Sequence, residues 1–167
     1  MRIAVSGTHG VGKSTLIDKF LRAHPEFVHE PEPYAVLVED YGEEFSAVPC
    51  GEDFLRQLEF NLERLGQYVA GEKVIYERCP LDFLAYLNAL DASNTAALAE
   101  RVSEAMRQLD LIVYLPLDDA PSDDEFPKLR KAMDQQLSRL LTEANVTVVE
   151  ATGSTAQRLR TVDNAIE

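Results

Sequence analysis

Short apolar runs and longer stretches of helical periodicity alternate along this chain from end to end. The run at 2–6 predicts a strand. Leu16, Ile17, Phe20 and Leu21 then recur at helical spacing over 12–23, a helix that Pro25 closes from just beyond its end. A short second strand is predicted at 27–29. It runs into Glu30-Pro31-Glu32-Pro33, where two prolines exclude a regular central ladder and hold both carboxylates on an extended segment. Residues 34–40 suggest a helical turn and 41–51 a loop. The seam Leu55, Leu58, Leu62, Leu65 and Val69 predicts a long helix over 53–70, ended by Gly71.

The second half repeats the alternation. A strand at 73–76 leads to Glu77-Arg78-Cys79, and Pro80 opens a helix carrying Leu81, Leu84, Leu87 and Leu90. A polar break at 91–94 precedes a helix marked by Leu98, Val102, Ala105, Met106 and Leu109. The run at 111–115 is apolar on both faces and stops at Pro116, as a fully buried strand does. An acidic connector at 118–125 follows. Phe126, Leu129, Met133, Leu137, Leu140, Leu141 and Ala144 mark a further helix, 146–149 a last strand and 156–166 a closing helix. No repeat or linker interrupts the order. The expected fold is α/β: one parallel sheet of five strands with helices on both faces, forming a single domain over 1–167.

Composition narrows the function. At 167 residues and 46% hydrophobic, the chain supports one sizeable core. No apolar run has the length of a membrane span and the N-terminus enters a strand directly, so no membrane partner and a cytoplasmic location are expected. Cys50 and Cys79 lie outside any metal-binding spacing and read as reduced thiols. A net charge of −13 argues against nucleic acid as a partner and makes local cations conspicuous: Lys13, Arg78 and the Lys128/Arg130/Lys131 group.

The sharpest chemical signal is at 6–15. Gly7, Gly12, Lys13 and Ser14 fit G-x-x-x-x-G-K-[ST] between a strand and a helix. Glycine takes positive φ without a Cβ penalty, so Gly7, Thr8, His9, Gly10, Val11, Gly12, Lys13, Ser14 and Thr15 can turn successive N–H groups around a phosphate. Lys13 is placed to reach the β/γ-phosphates and the Ser14 hydroxyl to sit on Mg²⁺. Glu30 and Glu32 follow the second strand, and Glu77 and Arg78 end the third, where ligands bind in open α/β sheets. Gln57 and Asn61, one helical turn apart, form a polar pair bordering a buried seam and suit the edge of a base or sugar.

These residues resemble the P-loop nucleoside and nucleotide kinases, in particular the deoxynucleoside-kinase-like branch and proteins similar to the ribosylnicotinamide kinase domain. Three pieces carry the likeness: Ser6 to Thr15, Pro31-Glu32-Pro33, and Glu77-Arg78-Cys79, which looks like the family's Glu-Arg-Ser with cysteine in the serine place. Residues 54–57 also resemble the helix whose glutamine contacts the base. The resemblance implies a P-loop NTPase three-layer sandwich, with ATP and Mg²⁺ as cofactors. It further implies transfer of the γ-phosphate to a hydroxyl or phosphate of a small nucleoside-like acceptor. Glu32, or Glu30, takes the base role, Arg78 steadies the oxygens, Glu77 orients Arg78 or a metal-bound water, and Tyr34, Gln57 and Asn61 contact the acceptor. One departure stands out, because residues 117–125 hold no arginine where such kinases carry an arginine-bearing lid. Arg130 and Lys131 of the following helix could serve in its place; the alternative is a regulatory nucleotide-binding ATPase that docks a protein partner. Monomer and homodimer both remain open.

Overall fold

The computed structural model describes residues 1–92, 95–118 and 125–167; parts of the predicted polar break (93–94) and acidic connector (119–124) lie outside the described residues. Strands β1 (Arg2–Ser6), β2 (Val28–Glu30), β3 (Val74–Glu77), β4 (Leu111–Tyr114) and β5 (Thr147–Glu150) lie parallel in one sheet, in the order β2-β3-β1-β4-β5. Between them run α1 (Lys13–Ala23), α2 (Pro33–Glu39), α3 (Gly51–Gln67), α4 (Pro80–Ala89), α5 (Thr95–Met106), α6 (Pro127–Glu143) and α7 (Thr155–Ile166). This is the expected α/β sandwich.

Strand pleating sorts the core into two halves. Ile3, Val5, Ile75, Leu111 and Val113 face one way and pack with Leu16, Ile17 and Phe20 of α1 and Val162 of α7. Their neighbours Ala4, Val74, Tyr76, Ile112 and Tyr114 face the other way, against residues of α3, α4, α5 and α6. Burial on both faces is why the central strands read as unbroken apolar runs. Among the described residues no helix is long and apolar enough to cross a membrane.

Boundaries shift where side chains intervene. Helix α3 starts at Gly51 instead of 53 and ends at Gln67 instead of 70. At Tyr68 the backbone turns extended (φ −87°, ψ 139°), and the Arg2 guanidinium donates to its carbonyl, which draws the chain off the helix. The Glu30–Pro33 segment is also shorter than expected. Glu30 is the last residue of β2, Glu32 is the N-cap of α2, and Pro33 opens that helix, where a missing N–H costs nothing.

Candidate active site

Because every strand runs the same way, their carboxyl ends share one edge of the sheet. Register places Val5 beside Glu77 and Ser6 beside Tyr114, so the loop after β1 opens next to the tips of β3 and β4. Pleating decides direction: Glu77 has the parity of Ile75 and points to the α1 side, and its Oε1 accepts from the Ser14 hydroxyl at 2.7 Å. Glu30 pairs in register with Tyr76 and points to the opposite side. There Arg64 donates to both its oxygens (2.6 and 2.7 Å) and the Tyr68 hydroxyl adds a third bond at 2.6 Å.

The glycine loop has the expected backbone. Gly7, Gly10 and Gly12 have φ of 146°, 74° and 93°, and Gly12 caps the N-terminus of α1 in the left-handed region. A Cβ on Gly7 would stand 2.5 Å from the Leu115 carbonyl oxygen, so the neighbouring strand end leaves no room for a side chain there. Lys13 is buried and donates to the Thr8 carbonyl at 3.0 Å, spanning the loop. Burial first, then the Arg78 charge, lower its pKa to about 8. Two arginines hold the loop from outside: Arg130 of α6 donates to the His9 carbonyl at 2.9 Å, and Arg158 of α7 to the Val11 carbonyl at 2.6 Å. With these three carbonyls bonded to Lys13, Arg130 and Arg158, the loop's shape is fixed from several sides.

Arg78 organises the tip of β3. It sits at φ 76°, a strained backbone for a residue with a side chain, and is 4% exposed. Its Nε meets Glu32 Oε1 at 2.5 Å, while its Nη1 donates to the Gly7 carbonyl at 3.0 Å and lies 3.4 Å from Asp82 Oδ1. Burial works against the guanidinium charge, but Glu32, Tyr86 and Asp82 outweigh it and raise its pKa. Glu32 shows the mirror image: burial would raise its pKa, yet Arg78 and Lys13 hold it below the ordinary value. Asp82, fully buried, accepts from the N–H groups of Gly7 and Cys79, each at 3.0 Å, and so ties the glycine loop to the start of α4. Cys79 is the N-cap there, within a capping box completed by Asp82, and receives the Ser6 hydroxyl at 3.1 Å. Burial pushes its thiol pKa up.

Two cavities meet over this cluster. One, of about 260 Å³, is lined by Gly10, Gly12, Lys13, Ser14, Thr15 and Glu77 together with His9, Glu32 and Arg78. The other, of about 300 Å³, shares those last three and adds Tyr34, Phe45, Asp53, Phe54, Gln57 and Tyr86 among its walls. Phe54 stacks flat on Tyr86 with centroids 4.2 Å apart, Tyr34 lies 5.2 Å from Phe45, and the Tyr86 hydroxyl bonds His9 Nδ1 at 2.9 Å.

Of the sequence-predicted residues, Lys13, Ser14, Thr15, Glu32, Glu77, Arg78, Tyr34 and Gln57 therefore line one cavity or both. Thr8 and Val11 are buried within the loop's support. Glu30 and Asn61 line neither cavity; Glu30 is held by Arg64 and Tyr68, and Asn61 is buried in α3 with its Oδ1 lacking a partner. Sequence reasoning missed Phe45, Asp53, Tyr86 and Arg158 at the site. For Asp82 a local signal existed, its place three residues after a possible cap.

Left-handed glycines before a helix N-terminus give the loop a geometry suited to a phosphate group. For Mg²⁺ the residues also fit: no three His, Cys, Asp or Glu side chains among the described residues form a cage, and this hard ion is ordinarily held by one or two protein oxygens plus phosphates. Ser14 and Glu77, already in contact, supply such a pair.

Sheet order, glycine loop and paired cavities define a P-loop fold of the nucleoside- and nucleotide-kinase type. A family profile described as an AAA domain matches residues 2–158, and the chain belongs to that family. Thymidylate kinase from Ehrlichia chaffeensis superposes with a TM-score of 0.71 at 13% identity, covering 100% of this chain and 98% of that one. Deoxyadenosine kinase from M. mycoides gives 0.67 at 14% identity, covering 99% and 98%. The NadR protein in complex with NR gives 0.74 at 15% identity, covering 98% of this chain and 50% of that one, so this chain spans about half of NadR. Likeness at these identities is one of fold. No curated protein matches the sequence.

Proposed function

We propose that this protein is an ATP-dependent phosphotransferase acting on a small nucleoside-like acceptor. The observation that carries the reading is the meeting of a phosphate-loop cavity and an aromatic-walled cavity at His9, Glu32 and Arg78. Phosphoryl transfer requires positioning and charge neutralisation more than covalent chemistry. On this reading the loop N–H groups and Lys13 hold the β- and γ-phosphates. Ser14 and Glu77 would hold Mg²⁺, which when bound would supply neutralisation of phosphate charge. Tyr34, Phe54 and Gln57 orient the acceptor.

Glu32 enters as an ionised carboxylate, since Arg78 and Lys13 keep its pKa low. It orients the acceptor hydroxyl and receives its proton as the new bond to phosphorus forms. A weak base suffices because a loose transition state leaves that proton in place until late. Arg78, fixed by Glu32, Gly7 and Asp82, faces both cavities and steadies oxygens on either side.

The test is ADP release from ATP–Mg²⁺ across a panel of nucleosides, nucleoside monophosphates and nicotinamide riboside. Stimulation by one acceptor, lost in Lys13→Ala and cut at least about a hundredfold in Glu32→Gln, is expected. Full activity in Glu32→Gln removes the base role. A rise in melting temperature with ATP but no stimulation by any acceptor favours the regulatory reading, to which the arginine-free 117–125 stretch lends support.

A further inference from the structure

We infer that the acceptor carries no phosphate of its own: the second cavity selects an unphosphorylated, ring-bearing molecule that reacts through a hydroxyl. The inference rests on the reading of that cavity as the acceptor site, and charge accounting carries it. Among the described residues, the acidic and basic side chains lining the cavity are Glu32, Asp53 and Arg78, with His9 at the border. Two of the three Arg78 nitrogens are already bonded, Nε to Glu32 and Nη1 to the Gly7 carbonyl and Asp82, so only Nη2 is left to meet an acceptor oxygen. Lys13 and Arg78 together face Glu32, Asp82 and Glu77, three carboxylates to two cations, before Asp53 is counted.

Other cations near this part of the fold are also committed or lie outside the walls. Arg56 donates to Glu43 (2.5 to 3.1 Å) and Arg64 to Glu30. Lys128 and Lys131 are exposed on α6, and they and Arg130, which donates to the His9 carbonyl, are absent from the described walls of the cavity, while the sequence at 117–125 holds acids and no Lys or Arg. A phosphomonoester brings a charge of about −1.5 to −2 at neutral pH, and here it would sit beside Glu32 and Asp53 with Arg78 as the one arginine or lysine among the described lining residues to meet it.

A hydroxyl meets no such penalty, because it donates to an ionised carboxylate. Aromatic walls then supply the grip: Phe54 and Tyr86 form one flat stack and Tyr34 and Phe45 lie tilted at 31°, surfaces suited to a planar ring. The step is balanced with ATP as co-reactant. The acceptor oxygen bonds to the γ-phosphorus, and the bond from that phosphorus to the β,γ-bridging oxygen breaks with its electron pair leaving on ADP. The hydroxyl proton passes to Glu32.

Asp53 is the residue to which this discrimination is assigned. It stands in the first turn of α3, where the Ser46 N–H donates to its Oδ2 at 3.1 Å and holds the carboxylate against the 41–50 segment. Removing its charge should raise relative affinity for a phosphorylated acceptor by on the order of tenfold, as expected for one charge at short range in a partly screened site.

Matched pairs test the inference: adenosine with AMP, thymidine with TMP, and nicotinamide riboside with its mononucleotide. Each pair is measured by ADP release and by calorimetric binding to protein saturated with a non-hydrolysable ATP analogue. The wild type is expected to prefer at least one nucleoside over its monophosphate by tenfold or more. Asp53→Asn should narrow that ratio, and added salt should narrow it in the wild type but less in the variant. Asp53→Ser serves as the second variant if Asp53→Asn misfolds. Strongest stimulation by a monophosphate, or binding of the monophosphates as well as their nucleosides in every pair, overturns the inference while leaving the kinase reading intact. Nucleoside-selective binding without turnover overturns the kinase reading, and with it the reaction at a hydroxyl, while the cavity's selection of an unphosphorylated ligand stands. Binding of neither member of any pair overturns the inference.

Discussion

Replacing Lys13 by Met should make the nucleotide-free protein more stable near neutral pH while abolishing its response to ATP. Burial and Arg78 bring the Lys13 pKa from an ordinary 10.5 to about 8. At 1.36 kcal/mol per pH unit, the charged side chain destabilises the free fold by about 3 kcal/mol. The sign follows from proton counts. Below pH 8 both folded and unfolded chains are protonated and the penalty is complete. Between 8 and 10.5 the unfolded chain binds more protons, so stability rises with pH until the penalty is gone. Against this stands the Lys13 to Thr8 hydrogen bond, about 1.5 kcal/mol, which Met cannot make. The net gain at pH 7 is then about 1.5 kcal/mol, or roughly 4 °C for a chain of this size. Thermal melts of both proteins at pH 7 and pH 9.5 check it, with and without ATP–Mg²⁺. The variant should melt higher at pH 7, and the difference should vanish or reverse by pH 9.5. A variant that melts below the wild type by the same margin at both pH values would refute the reasoning.

Two further predictions concern the frame around the loop. Gly7→Ala should cost more than about 3 kcal/mol, since its Cβ meets a backbone oxygen at 2.5 Å, whereas Gly42→Ala, also at positive φ but with nothing within 4 Å, should cost only about 1. Urea melts of the pair decide it, and equal losses would show that contact plays no part. Asp82→Ala leaves two buried N–H groups and Arg78 short of a partner, so a loss of about 3–5 kcal/mol is expected, against less than about 1 for Cys79→Ser, which keeps the cap. Similar melting temperatures for Asp82→Ala and wild type would remove Asp82 as the fastener of the loop.

The sheet, its helices and the phosphate loop were legible because their signals are local: alternating periods, and a motif whose geometry is set within ten residues. The acceptor side was not. Nothing between 27 and 33 tells Glu30 from Glu32; what separates them is the pairing of Glu30 with Tyr76, which turns it toward Arg64 and Tyr68, 34 and 38 positions away. Gln57 and Asn61 share a helix stripe, yet only Gln57 lines the cavity, and Asn61 is buried one turn further along. Tyr86 reads as one more core residue of α4 until His9 and Phe54 meet it. Arg158 reaches Val11 across 147 positions, a distance at which no motif speaks.

The two outermost strands also bear on how the molecule behaves when crowded. An exposed strand margin is a template onto which another chain can add, and long flat margins seed fibrous aggregates. Here β2 offers three residues before Pro31, which has no N–H to donate, and β5 offers four that end in the carboxylate of Glu150. Neither margin supports more than a few ladder bonds. With a surface of net charge −13 adding mutual repulsion, the fold guards against sheet-to-sheet growth by keeping its margins too short to copy.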